Sequence, residues 1–148
     1  MVAGGVGVAP LVMLADEAAY RGMDIVFLMG AASEAGLLPA SELPDSVEFL
    51  VATDDGTRGL RGFATDLIAN YVQWADQIFS CGPELMYRAL RAAVDPHRIN
   101  RRPRVQISVE REMACGLGAC LGCVVETTRG MLPSCVQGPV FDLDEVLL

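Results

Sequence analysis

The chain has 148 residues, 52% of them hydrophobic, and a formal net charge of −8. This length suits one compact domain or two small ones, and the apolar content excludes a disordered chain. An acidic chain repels phosphate backbones, so we expect no nucleic-acid partner. The longest uncharged run, residues 1–15, is too short to cross a bilayer and has no basic leader. We therefore expect a cytoplasmic protein that does not bind a membrane.

Apolar strand-like runs alternate with helix-like segments over residues 1–103. This alternation predicts an α/β fold with a doubly wound parallel five-stranded sheet. Residues 104–148 are rich in Gly and Cys and predict a small second domain. The first strand has only three residues before a glycine loop, so we expect preceding sequence to be missing or to come from another chain. Strands are predicted at 1–3, 25–29, 47–53, 77–80 and 104–109, and helices at 9–21, 62–71 and 84–93.

A glycine loop with Gly4, Gly5 and Gly7 lies between the first strand and the first helix. Glycines at this place let a dinucleotide pyrophosphate approach the helix N-terminus, where free N–H groups favour anions. The loop does not have the G-x-G-x-x-G spacing of the dinucleotide fingerprint. A tight turn without a ligand, as in any α/β protein, remains the alternative.

Two other loops are expected at the same carboxyl edge of the sheet, which is the usual ligand edge. Cys81, Gly82 and Pro83 follow one strand, where the thiol would lie beside a nicotinamide ring; the alternative is a buried cysteine before a helix. Thr53 and Asp54 follow another strand. An acidic residue there would accept hydrogen bonds from a ribose and repel a 2′-phosphate, which favours NAD(H) over NADP(H). The alternative is a solvated Asp-Gly turn.

Four of the five cysteines lie within 21 residues, in the pattern C-x4-C-x2-C-x11-C, and we predict that they ligate a [2Fe–2S] cluster. The first three spacings match the plant-type [2Fe–2S] arrangement. Small residues between the thiolates let backbone N–H groups turn toward the sulfurs. A structural Zn(Cys)4 site is the alternative, although zinc sites usually combine two CxxC pairs and only one is present. Unliganded thiols are the third possibility. The predicted ligands are Cys115, Cys120, Cys123 and Cys135.

With these motifs in hand, the chain resembles the electron-transfer (iron–sulfur/FAD) subunits of type B dihydroorotate dehydrogenase, which belong to the ferredoxin–NADP reductase superfamily. The most specific stretch is Met-Ala-Cys-Gly-x-Gly-Ala-Cys. NADPH reductases of this superfamily tend to carry Ser-Arg where Thr53 and Asp54 stand, so the resemblance also implies NADH. The matching stretches are residues 4–10, 53–56, 81–83, 110–120 and 135–141.

The resemblance implies an NAD(H)-binding α/β domain over residues 1–103 and a [2Fe–2S] domain over residues 104–148. It implies that electrons pass from NADH through FAD and the cluster to an FMN-containing dihydroorotate dehydrogenase catalytic subunit, in a hetero-oligomer that serves pyrimidine biosynthesis. Family members carry an N-terminal FAD-binding barrel, which this chain lacks. We therefore expect no activity from this chain alone.

Two other functions are open from the sequence. One is a related flavin/iron–sulfur NAD(P)H oxidoreductase subunit, of a sulfide dehydrogenase or an electron-bifurcating transhydrogenase. The other is a non-catalytic zinc-binding module. A basic run formed by Arg98, Arg101, Arg102 and Arg104 is interpreted as a solvated linker between the domains, with a docking patch for the partner subunit as the alternative.

Overall fold

The computed structural model describes residues 1–99 and 102–148. None of the helices in these two ranges combines the length and the apolar character needed to span a bilayer. Short 3-10 turns join several of the elements. In chain order the strands and helices are β1 (Val2–Gly4), α1 (Val8–Tyr20), β2 (Ile25–Ala31), β3 (Val47–Thr53), β4 (Leu60–Arg61), α2 (Ala64–Ile68), β5 (Gln77–Cys81), α3 (Glu84–Val94), β6 (Arg104–Ser108), β7 (Val124–Thr127), β8 (Gly130–Pro133), α4 (Ser134–Gln137) and β9 (Val140–Asp142).

A single large sheet organises the described chain, with the strand order β4-β3-β2-β1-β5-β6-β9. All neighbours from β4 to β6 are parallel, and β9 is antiparallel to β6. All five predicted strands are present. The predicted number of strands was wrong, because β4 and β9 extend the two edges to seven strands. These two strands have two and three residues, too few to produce a recognisable apolar run.

Helices cover both faces of the sheet, which confirms the doubly wound α/β fold. On β2, Phe27 and Met29 pack with α1 on one face, whereas Val26 and Leu28 pack with α2 and α3 on the other. A strand buried on both faces has a continuous apolar sequence, as β2 does. The two faces therefore form separate apolar cores, one on each side of the sheet.

Helix α2 is shorter than the helix predicted over residues 62–71. Gly62 has φ = 147° and lies outside the helix. Phe63 caps the helix, and its backbone N–H donates to the Asp66 carboxylate at 2.8 Å. The helix ends at Ile68 and turns follow it. The amphipathic pattern continued into these turns because Val72 is also buried in the core.

The segment that carries the clustered cysteines, residues 109–139, is inserted between β6 and β9. Both strands belong to the large sheet, and β6 pairs in parallel with β5. The predicted domain boundary between residues 103 and 104 therefore falls between two neighbouring strands of that sheet. A two-stranded hairpin, β7 with β8, lies within the inserted segment.

Within the predicted basic run, the Arg98 side chain is buried, whereas Arg102 and Arg104 are exposed, so only Arg98 departs from the interpretation as a solvated linker. The Arg98 side chain is only 5% exposed and pairs with Asp95 and Asp144. Its Nε donates to the Pro103 carbonyl at 3.0 Å. Arg104 pairs with Asp142 on β9. Arg101, also part of the predicted run, lies outside the described residues. Arg98 therefore holds the chain before β6 against the C-terminal segment.

Candidate functional site

The predicted nucleotide residues lie at one edge of the sheet, because β1, β3, β5 and β6 are parallel and end together. Ala3 pairs with Cys81, and Cys81 pairs with Ser108. On the other side of β1, Gly4 pairs with Gly30 on β2. Ala31, which follows Gly30 on β2, pairs with Thr53 on β3. Strands in a sheet are spaced about 4.8 Å apart, so Thr53 lies roughly 10 Å from the glycine loop.

The glycine loop packs tightly against the loop after β5. A Cβ added at Gly7 would overlap the backbone of Cys81 and lie 2.7 Å from the Gly82 nitrogen. A Cβ at Gly82 would lie 3.1 Å from the Gly4 Cα. Gly5 differs from Gly7 and Gly82. Its φ of 54° lies in the left-handed region, which favours glycine, and the space around it is open. Packing and backbone conformation thus account for these glycines, and their contact with a pyrophosphate stays a prediction.

A cleft of about 560 Å³ opens beside these two loops. Val6, Gly7 and Cys81 border it on one side. Glu110 and Met113, which lead into the cysteine segment, border it on the other. Its volume lies within the range of cofactor pockets. The cleft therefore joins the predicted nucleotide edge to the cysteine segment.

Cys81 borders this cleft but is only 4% exposed and belongs to the apolar core beneath α1. Burial raises the pKa of its thiol, and the nearby Glu110 carboxylate raises it further. The thiol is therefore neutral and is not an activated nucleophile. Its predicted position beside a nicotinamide ring stays a prediction.

Tyr87 fixes the loop that begins at Gly82, and the sequence did not reveal this role. Its hydroxyl accepts a hydrogen bond from the Gly82 N–H at 3.0 Å and donates one to the Ser108 carbonyl at 2.6 Å. Burial raises the pKa of Tyr87, so the hydroxyl keeps its proton. The helical spacing of Tyr87, Leu90 and Val94 marks a core face of α3. That spacing carries no information about the partners of the hydroxyl.

The turn after β3 is held by its own hydrogen bonds. The Thr53 hydroxyl is buried; it donates to the Arg58 carbonyl at 2.8 Å and accepts from the Arg58 N–H at 3.1 Å. Asp54 is exposed, and its backbone N–H donates to the Ala31 carbonyl at 3.1 Å. The Thr57 hydroxyl and N–H lower the pKa of the Asp55 carboxyl. The Asp54 carboxylate is thus presented to solvent by a preformed turn, whereas the Thr53 hydroxyl is used within it.

The loop from residue 115 to residue 123 has the irregular backbone that the small residues predicted. Gly116 and Gly118 have φ values of 65° and 74°. Leu121 has φ = 56°, which is unusual for a residue with a side chain and was not predicted. The Leu117 N–H donates to the Cys115 sulfur at 3.4 Å. The loop therefore directs backbone donors toward sulfur.

The four clustered thiols form two neighbouring pairs. The backbone N–H of Cys120, followed by that of Leu117 and the Cys120 thiol, lowers the pKa of Cys115 to about 6. The backbone N–H and the thiol of Cys135 lower the pKa of Cys123. The Cys123 thiol raises the pKa of Cys135, and the charge on Cys115 raises it further. Two of the thiols are thus biased toward the thiolate, the form that binds metal.

Cys135, the last cysteine of the motif, lies on α4, and the β7–β8 hairpin brings α4 back to the cysteine loop. The Ser134 N–H donates to the Cys123 carbonyl at 3.1 Å, and Val136 packs against Gly118. Within residues 1–99 and 102–148, no three Cys, His, Asp or Glu side chains converge as at a site for a single metal ion. The buried Ser134 hydroxyl also lacks a partner in the described part of the chain, which fits a further acceptor at this place.

Three exposed apolar side chains are here called the cluster-end surface: Leu117 and Leu121, which belong to the cysteine loop, and Val136, which packs against Gly118 in it. Leu117 is 82% exposed. Apolar side chains grouped on a surface often mark a contact with another protein.

Comparison with known proteins identifies the cysteine segment. Residues 110–147 match the family described as "Iron-sulfur cluster binding domain of dihydroorotate dehydrogenase B". The whole chain is 36% identical to a "Dihydroorotate dehydrogenase B (NAD(+)), electron transfer subunit" of Listeria monocytogenes, of which it covers 57%. It is 38% identical to the protein of the same description from Geobacillus thermodenitrificans and covers 56% of it. The chain thus spans little more than half the length of these relatives.

Solved structures agree with the fold. A structure of an NADH-dependent reduced ferredoxin–NADP oxidoreductase, described in connection with flavin-based electron bifurcation, matches 99% of this chain with a TM-score of 0.82. That protein is 28% identical, and the match covers 52% of it. An intact type IV self-sufficient cytochrome P450 monooxygenase matches 85% of this chain with a TM-score of 0.54. At 21% identity over 22% of its own chain, that likeness shows the fold alone.

Proposed function

We propose that this chain, which belongs to the family of dihydroorotate dehydrogenase B electron transfer subunits, carries electrons from NADH toward a dihydroorotate dehydrogenase catalytic subunit. The observation that supports this most is the match of residues 110–147 to the iron–sulfur binding domain. This segment contains Cys115, Cys120, Cys123 and Cys135. The FAD that this route needs would be held with sequence outside this chain.

The paired thiols favour a [2Fe–2S] cluster over zinc. Each iron of such a cluster takes two thiolates, so Cys115 and Cys120 would hold one iron and Cys123 and Cys135 the other. When bound, the cluster supplies one-electron transfer, and a flavin is needed to split the hydride of NADH into single electrons. The Leu117 N–H, which donates to the Cys115 sulfur, would help to set the potential of a bound cluster.

The edge formed by β1, β3 and β5 would bind NADH. Gly5, around which the space is open, would let a pyrophosphate approach the start of α1, while Gly4 and Gly7 keep the loop close to the loop after β5. Cys81, Gly82 and Pro83 would face the nicotinamide end across the cleft, with the peptide of Gly82 held by Tyr87. In the turn after β3, Thr53 keeps the turn in shape, and the exposed Asp54 carboxylate would accept hydrogen bonds from the adenosine ribose.

The cluster-end surface would dock the FMN-containing catalytic subunit, forming a hetero-oligomer. Electron transfer requires the donor group to lie close to the partner, and Leu117, Leu121 and Val136 lie in or against the cysteine loop. Removing the apolar surface of these exposed side chains from water would stabilise the complex by about 25 cal/mol for each Å² buried.

Iron analysis of the purified chain tests the cluster. We expect two irons and two sulfides per chain, visible absorption, and an electron paramagnetic resonance (EPR) signal after reduction. Cys120→Ser should lose iron while the nucleotide half stays folded. Cys81→Ser is the matched control: it changes the cysteine outside the loop and should keep its iron. A colourless protein with one zinc per chain would identify a zinc module, and unchanged iron in Cys120→Ser would show that the ligands are misassigned.

The partner is tested with a protein in which this chain is joined to the FAD-binding region of a family member. We expect NADH to reduce a dihydroorotate dehydrogenase catalytic subunit through it. The similarity to the ferredoxin–NADP oxidoreductase structure favours a second candidate, a subunit of a bifurcating enzyme. Reduction of ferredoxin, with no electron transfer to the dihydroorotate dehydrogenase subunit, would support that candidate and reject the first.

A further inference from the structure

Ser134 carries a fully buried hydroxyl that has no hydrogen-bond partner in the described part of the chain. Ser134 is the first residue of α4 and directly precedes Cys135. A buried hydroxyl without a hydrogen-bond partner is destabilising, so natural proteins rarely keep one. Such a hydroxyl beside a predicted cluster ligand suggests that its acceptor is a sulfur of the loaded site.

The position of Ser134 is fixed next to Cys123. Its backbone N–H donates to the Cys123 carbonyl at 3.1 Å, and its own carbonyl accepts from the Gly138 N–H at 3.0 Å. The Ser134 hydroxyl makes no hydrogen bond to the Cys123 side chain in the described part of the chain. A serine hydroxyl can rotate its hydrogen toward a thiolate when that acceptor is present.

We propose that the Ser134 hydroxyl donates a hydrogen bond to the Cys123 sulfur of the iron–sulfur cluster and thereby raises the reduction potential of the cluster. This inference rests on the proposed function, since it requires the cluster. Reduction adds negative charge that spreads onto the sulfurs, and a donor to sulfur stabilises the reduced state more than the oxidised state. Ser134 is therefore a positioning residue that acts through a ligand.

Redox titration of three variants, followed by the EPR signal of the reduced cluster, tests this inference. In Ser134→Ala, the equilibrium constant for one-electron reduction should fall about tenfold, which corresponds to a potential lower by about 59 mV. Ser134→Thr keeps a hydroxyl and should stay near the wild-type potential. Ser80→Ala is the matched control, because Ser80 is also buried with an unpartnered hydroxyl but lies on β5. Its potential should not change.

A second measurement reports on the hydrogen bond itself. In pulsed EPR of the reduced protein exchanged into D2O, the wild type should show a coupled deuteron that Ser134→Ala lacks. Ser134→Gly provides a second hydroxyl-free variant and should give the same result. An unchanged potential in hydroxyl-free variants that keep wild-type iron would overturn the proposal. So would loss of iron from folded variants, because a group that only tunes the potential is not needed to hold the metal. A wild-type chain without iron would instead reject the proposed function.

Discussion

Replacing Gly7 by alanine tests how closely the glycine loop must approach the loop after β5. Gly7 has φ = −62° and ψ = −6°, which alanine adopts without strain, so the effect of the substitution is purely steric. The added Cβ would overlap the Cys81 backbone and lie 2.7 Å from the Gly82 nitrogen. Because the obstacle is backbone paired with β1, no side-chain rotation relieves it. We expect a loss near the upper end of the overpacking range, about 3 kcal/mol.

For a chain of 148 residues, a loss of this size lowers the midpoint of thermal unfolding by about 10 °C. Circular dichroism during heating measures it. Gly5→Ala is the matched control: its Cβ meets no atom within 4 Å, but its φ of 54° is unfavourable for alanine. Its loss should be only about 1 kcal/mol. If Gly7→Ala melts no lower than Gly5→Ala, the two loops are not in the close contact inferred here.

Three further predictions concern the turn after β3, the cysteine loop and α3. Asp54→Ala should reduce the preference for NADH over NADPH about tenfold in fluorescence titrations, since it removes the charge that repels the 2′-phosphate; an unchanged ratio would refute the specificity argument. In the iron-free protein, alkylation of Cys115 should reach half its maximal rate near pH 6, because its lowered pKa makes it a thiolate above that pH; a midpoint near the usual value of about 8.5 would contradict this. Tyr87→Phe should lower the free energy of unfolding in urea by about 2 kcal/mol, since the Gly82 N–H and the Ser108 carbonyl lose their buried partner. An unchanged urea midpoint would show that water replaces the hydroxyl.

Features encoded by local spacing could be predicted from the sequence. The continuous apolar residues of β2 indicated a strand buried on both faces, and the structure shows Phe27 and Leu28 in opposite cores. The cysteine spacing indicated a cluster loop, and the glycines at 116 and 118 indicated its irregular backbone. Such signals are local because a strand period or a ligand spacing depends on the chain within a few residues.

Other features depend on residues far apart in the sequence. Tyr87 and Ser108 are separated by 21 residues and are brought together by the packing of α3 beside β6. The ion pair between Arg98 and Asp144 spans 46 residues, so the basic run gave no sign that the Arg98 side chain is buried. The last edge strand, β9, is recognised as a strand only because β6 provides a hydrogen-bonding neighbour.

The amino-acid sequence by itself determined the α/β class, the sheet edge at which the loops meet, and the four cysteines of the candidate cluster. Only the tertiary structure decided which of these cysteines are neighbours and that the Tyr87 hydroxyl holds the loop at Gly82. It also placed the buried Ser134 hydroxyl in a residue whose N–H is bonded to Cys123. The physical reason is that identity and spacing specify which groups are available. Packing of distant segments specifies which of them touch, and hydrogen bonds and pKa shifts depend on that contact.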